Sequence, residues 1–185
     1  MTAIEKAETI LEFVLSMNSE PQVAPGLPVE DVADIFDAAN IDAPADLVGL
    51  YAWHNGIIYL NAFLYFLDVE LAINTYVGFA AHKREVPEFK WREGLFPVLT
   101  TNGDIYHCID LATGATYDID IEGDGFLKTA DNYHHYLDAI IIAFEEKLFR
   151  FNPNGGYIYA DDDDWDAMEK RFEITTEYGA MYGLE

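Results

Sequence analysis

Residues 95–120, LFPVLTTNGDIYHCIDLATGATYDID, decide the fold. Residues 96–100 form one apolar run and residues 105–111 a second, separated by Asn102-Gly103, a pair that marks a hairpin because both residues tolerate positive φ. Thr113-Gly114 supplies another turn, and in residues 116–122 Tyr117, Ile119 and Ile121 alternate with Asp118, Asp120 and Glu122. Alternation of period two predicts an antiparallel strand with one buried and one wet face. The wet face would then carry three carboxylates side by side, whose repulsion a cationic partner would relieve.

Downstream, Asn132 or Asp131 caps a long helix whose apolar stripe is Tyr133, Leu137, Ile140, Ile141, Phe144 and Leu148. The segment 152–156, Asn-Pro-Asn-Gly-Gly, breaks the chain, residues 157–159 suit a short strand, and Asp161, Asp162, Asp163 and Asp164 open a last helix. Upstream, Ile4, Ala7, Ile10, Leu11, Val14 and Leu15 recur at helical spacing, and Pro21, Pro25 and Gly26 end that helix. Pro28 starts a second, with Val32, Ile35, Phe36 and Ala39 inward and Glu30, Asp31, Asp34 and Asp37 outward. A third, short helix carries Leu47, Leu50 and Tyr51 and closes at Asn55-Gly56. Residues 57–67 fit one or two buried strands, and Asp68 caps a fourth helix with Leu71, Ala72, Thr75, Tyr76 and Phe79 inward. Helices, strands, a helix, a meander and a helix in that order allow few βαβ units. The fold class is therefore α+β, a central, mostly antiparallel sheet with helices packed mainly on one side.

Composition narrows the function. The 185 residues carry 34 acids against 10 bases, a net charge of −24. Such a charge disfavours nucleic acid and anionic membrane as partners and draws in a basic protein, with a salt-dependent on-rate. Cys108 is the single cysteine, so no internal disulfide forms. The first residues lack the basic, apolar and small-residue zones of a signal peptide, and the longest apolar run, residues 139–144, is too short for a bilayer. Cytoplasm is the expected location.

The chemistry-bearing motifs fail one by one. Asp118, Asp120, Glu122 and Gly123 imitate the start of a calcium loop, but its twelfth position is Thr129 where a bidentate Glu is required. His107-Cys108 and His134-His135 are adjacent pairs whose side chains point apart, so neither forms a metal site alone. Ser16 and Ser19 lie in no nucleophile turn, and Cys108 sits within a strand among acids that raise its pKa. The expectation is no enzyme, no cofactor and no metal. A deep pocket holding carboxyls with strongly shifted pKa values would revive an enzyme or small-molecule binder.

The segment PADLVGLYAWHNG, the helix from Asp68, the 95–120 meander and the helix TADNYHHYLDAIIIAFEE follow one another in an order that resembles the SUKH (Smi/Knr-like) superfamily over residues 28–150. The resemblance implies a domain over residues 1–150, with residues 151–185 as a C-terminal extension packed on it. It further implies an immunity-type protein that neutralises a cognate toxin, often a nuclease, by binding it; the alternative is a regulatory scaffold. Positions matching the family motif are Leu47, Tyr51, Asn55, Gly56, Pro97 and Tyr117, which are core and turn positions. Candidate partner-binding carboxylates are Asp118, Asp120, Glu122 and Asp124 on the strand and Asp161, Asp162, Asp163 and Asp164 at the last helix, with no nucleic acid or membrane as partner.

Overall fold

The structure, a computed structural model, describes residues 1–17, 20–58, 64–101, 103–121, 125–152 and 157–159. Helix α1 (Ala3–Ser16) leads to strand β1 (Gln22–Val23), helices α2 (Val29–Ala38) and α3 (Ala45–Trp53), strands β2 (Ile57–Ile58) and β3 (Leu64–Phe66), and helix α4 (Val69–Glu85). Strands β4 (Leu95–Thr101), β5 (Ile105–Asp110), β6 (Thr116–Asp120) and β7 (Phe126–Ala130) follow, then helix α5 (Tyr133–Glu145) and the hairpin β8 (Arg150–Asn152) and β9 (Tyr157–Tyr159). The protein is α+β, as its sequence predicts. Strands β1 to β7 form one sheet in chain order, each pair antiparallel.

Local chemistry explains the boundaries. Thr2 and Glu5 form a reciprocal capping box at α1, Asp68 caps α4 by accepting from the Leu71 N–H at 2.8 Å, and Asn132 caps α5. Asn55-Gly56 does more than close α3. The Asn55 amide oxygen accepts from the Val69 N–H at 2.9 Å, tying the exit of α3 to the entry of α4, and Gly56 adopts φ +104°. Pro97 has no N–H for the ladder, and the register shifts between Pro97 and Leu99 as a bulge; the Val98 carbonyl instead accepts from Leu67.

The core is aromatic at its centre. Phe36 lies 5.4 Å from Phe96 and 6.0 Å from Tyr51, which stacks on Phe66 at 5.1 Å. Leu47, Tyr51 and Pro97 are buried, and Tyr117 is half-buried between Phe126 and the Arg92 guanidinium. Across the middle of the sheet Tyr106, Cys108 and Ile119 meet Phe79 of α4, whereas Leu99, Thr101, Ile105 and His107 face α1, α3 and α5. The opening of the C-terminal stretch belongs to the same body, since Ile158 is fully buried among α1 and α5 side chains.

Two helix faces differ from their predicted stripes. Ala3, Lys6, Ile10 and Val14 are buried in α1, while Leu15 is 53% exposed. The stripe rotates because Lys6 bridges to Asp138 at 2.7 Å and donates to the His134 carbonyl, so a charged side chain takes an inward position by being paired. Leu71, predicted inward, is exposed, because α4 turns Val69, Ala72 and Phe79 to the core. Strand β7, which the sequence reading does not predict, is added to the sheet by pairing with β6, with Leu127 and Thr129 buried and Lys128 exposed.

Asp110 holds the turn after β5. Burial pushes its carboxyl up, but the N–H groups of Ala112 and Thr113 and the Arg92 guanidinium outweigh that and hold it below the usual carboxylate range. With the folded value below the unfolded one, this stabilisation is complete above about pH 4 and is lost as pH falls through the folded value. Asp110→Asn is expected to cost about 1–2 kcal/mol in urea melts at pH 7, with the gap to the parent closing at acid pH.

Candidate functional site

The meander register sets Asp118 of β6 directly opposite His107 of β5, with Thr101 of β4 two residues beyond Leu99, the partner of His107 on the other side. All three side chains join in one row. His107 Nδ1 lies 2.6 Å from Asp118 Oδ1, and His107 Nε2 lies 3.2 Å from Thr101 Oγ1. An ionised carboxylate only accepts, so Nδ1 carries the proton, and in the neutral ring Nε2 accepts from the Thr101 hydroxyl. The Tyr136 hydroxyl approaches from α5 at 3.5 Å from Nδ1.

This arrangement corrects the predicted wet face. Asp118 is only 3% exposed and points at His107, Ile119 is fully buried on the opposite face, and Ile121 is 40% exposed. Strand β6 lies inside the sheet and both of its faces are covered, so its carboxylate side is not a surface. Asp118 is unavailable to a macromolecular partner, and Asp120 is half-buried. Glu122, Asp124, Asp161, Asp162, Asp163 and Asp164 lie outside the described residues. Cys108 is buried in the sheet, and burial pushes its thiol up, with the Asp118 charge adding to this. His134 reaches out from α5 to Asp46 at 3.0 Å.

The row ends at a cavity of about 220 Å³ between the sheet and helices α1, α3 and α5. Its walls are mainly aliphatic and aromatic, among them Ile10, Leu99, Ile105 and Leu137; Thr101, His107, Tyr133 and Tyr136 bring the polar atoms. Burial pushes both phenols well above their usual range, with Asp118 and Tyr133 adding to the effect at Tyr136, so both hydroxyls stay protonated. Hydroxyl, imidazole and carboxylate stand in the order of a nucleophilic relay. Acyl transfer also needs N–H donors for an oxyanion. The Gly103 and Asp104 N–H groups beside Thr101 are already bonded to Thr100 Oγ1 and the Thr101 carbonyl. The row fixes one hydroxyl at a cavity wall. Among the described residues no group of three His, Cys, Asp or Glu side chains is placed to hold a metal ion, and no helix is long and apolar enough to cross a membrane.

Behind the cavity, Tyr51 is fully buried and its hydroxyl has no hydrogen-bond partner among the described residues. Burial, then Tyr133 and Asp68, push its pKa well up. Since an unmet buried hydroxyl is a cost, Tyr51→Phe is expected to raise stability by about 1 kcal/mol, read as a higher urea midpoint at unchanged slope.

The surface carboxylates gather elsewhere. Glu30, Asp31, Asp34 and Asp37 are exposed along α2 while Val32 and Phe36 are buried, and Asp42 and Asp46 are exposed in the following turn and α3. Sequence reasoning finds this stripe from helical period alone; it misses Thr101, whose part in the row depends on strand register. No protein-family model matches the chain, and no curated protein matches it.

Proposed function

We propose that this chain is a non-catalytic protein-binding domain that takes a basic partner, of the immunity type in which an acidic inhibitor occupies the basic cleft of a toxin domain. The observation that carries this reading is the exposed carboxylate stripe of α2, continued by Asp42 and Asp46. Several cations of the chain are occupied at home: Lys6 with Asp138, Arg92 with Asp110, Lys128 with Asp131, and Lys83 with the carbonyls of Pro87 and Phe89. The α2 carboxylates are thus left as the field that an approaching protein meets. A nuclease cleft shaped for phosphates offers the complementary charge. The resemblance to immunity-type SUKH proteins supports the same reading.

The reading expects a toxin domain to be encoded beside this gene, and the test is inhibition of that domain. Equimolar protein is expected to abolish its activity, with an association rate that falls steeply with salt. The variant Glu30→Gln/Asp31→Asn/Asp34→Asn/Asp37→Asn is expected to associate roughly 10- to 100-fold more slowly. Undiminished toxin activity at equimolar protein counts against the reading.

A further inference from the structure

We propose that the cavity between the sheet and the α1–α5 pair is a binding site for a small, neutral, largely apolar molecule bearing one hydrogen-bond donor, of the class of short alkylphenols and indoles. The inference goes beyond the partner-binding reading, and it rests on size, wall chemistry and the polar row. The space measures about 220 Å³. A dry cavity of roughly 150 Å³ already takes up benzene, so a single ring with a small substituent fits here. The walls contributed by Ile10, Ile105, Leu137 and Ile140 offer contact to such a ring and no hydrogen bonds.

At Thr101 the polar end has a defined sense. With Asp118 accepting from His107 Nδ1, the neutral ring leaves Nε2 to accept from Thr101, and in that state the Thr101 oxygen offers an acceptor to the cavity that Thr101 lines. An acceptor selects a guest that donates. An anionic guest is opposed by the buried Asp118 carboxylate, 3% exposed, behind the ring. A cationic guest would have to shed its water against aliphatic walls. A hydroxyl or N–H on an aromatic ring meets both conditions.

The full-length protein, methyl-labelled for NMR, is titrated with p-cresol, toluene and p-toluate. Saturable shifts of the Ile10, Ile105 and Ile140 methyls are expected with p-cresol, with toluene binding roughly tenfold more weakly and p-toluate producing none. Thr101→Val is expected to reduce p-cresol to the level of toluene, and Thr101→Ser to restore the preference. Ala7→Leu, which fills the space, is expected to abolish binding; Ile140→Phe serves the same purpose should that variant not fold. The proposal is overturned by an absence of saturable shifts with millimolar p-cresol. It is equally overturned by equal affinity for toluene and p-cresol, or by binding that survives in a folded cavity-filling variant.

Discussion

Replacing Gly26 by alanine is expected to cost about 3–5 kcal/mol, among the largest losses of any single methyl added to this protein. The reason is space. A Cβ at residue 26 would sit 1.9 Å from the Ala52 carbonyl oxygen and 2.6 Å from that of Trp53. Both obstacles are main-chain atoms, so no rotamer change relieves the clash. The surrounding loop is held against the end of α3 by the Leu27 N–H on the Tyr51 carbonyl, the Asn55 N–H on the Pro25 carbonyl and the Ala24 N–H on the Gly56 carbonyl. His54 Nδ1 adds a contact to the Ala24 carbonyl at 2.8 Å. Moving the loop away would break this lacing and lift α3 from Phe36 and Phe66. Urea melts of Gly26→Ala should show the loss directly. A change below about 1 kcal/mol would mean that the loop has another seat.

The second large effect belongs to the buried row. His107→Leu is expected to cost about 3 kcal/mol, because the Asp118 carboxylate would remain buried without its donor. Asp118→Leu should cost less, since a neutral imidazole is easier to leave alone in an apolar setting. The double variant should be more stable than the sum of the two losses by about 2 kcal/mol, as apolar groups can replace both partners. The measurement is a double-mutant cycle by denaturant unfolding. Strict additivity would show that the 2.6 Å contact contributes nothing to stability.

Elements whose sequence alternates strongly against a simple environment are legible in advance. Helix α2 is one: Glu30, Asp34 and Asp37 against Val32 and Phe36 leave a single orientation, and the structure adopts it. The turn at Gly103, which adopts φ +85° between the paired Thr101 and Ile105, and the turn at Thr113-Gly114 are legible from their glycines. Period two, however, tells which residues share a face and not which face is wet. Residues 116–120 therefore read as an acidic surface although Asp118 is enclosed by His107 and α5. Knowing that β6 is interior requires β7, whose five residues, FLKTA, carry little pattern of their own. Lys6 is hard for a related reason: its partner Asp138 is far along the chain, and only tertiary packing makes a lysine tolerable there. The cavity lies further from the sequence still, because it is formed by what four separated segments fail to fill.

Strands β4 to β7 pair in chain order through short connections, so this meander can grow by closing short loops, each at modest entropic cost. The seating of α1 on α5 is different, since Lys6 and Asp138 are brought together from nearly opposite ends of the described chain. In kinetic terms the β4–β7 meander is a ladder of quick local steps and the helix pair a slow latch. The hollow beneath that latch is completed only when the first helix docks, so a guest inside would bind the finished protein and bypass its half-assembled precursors.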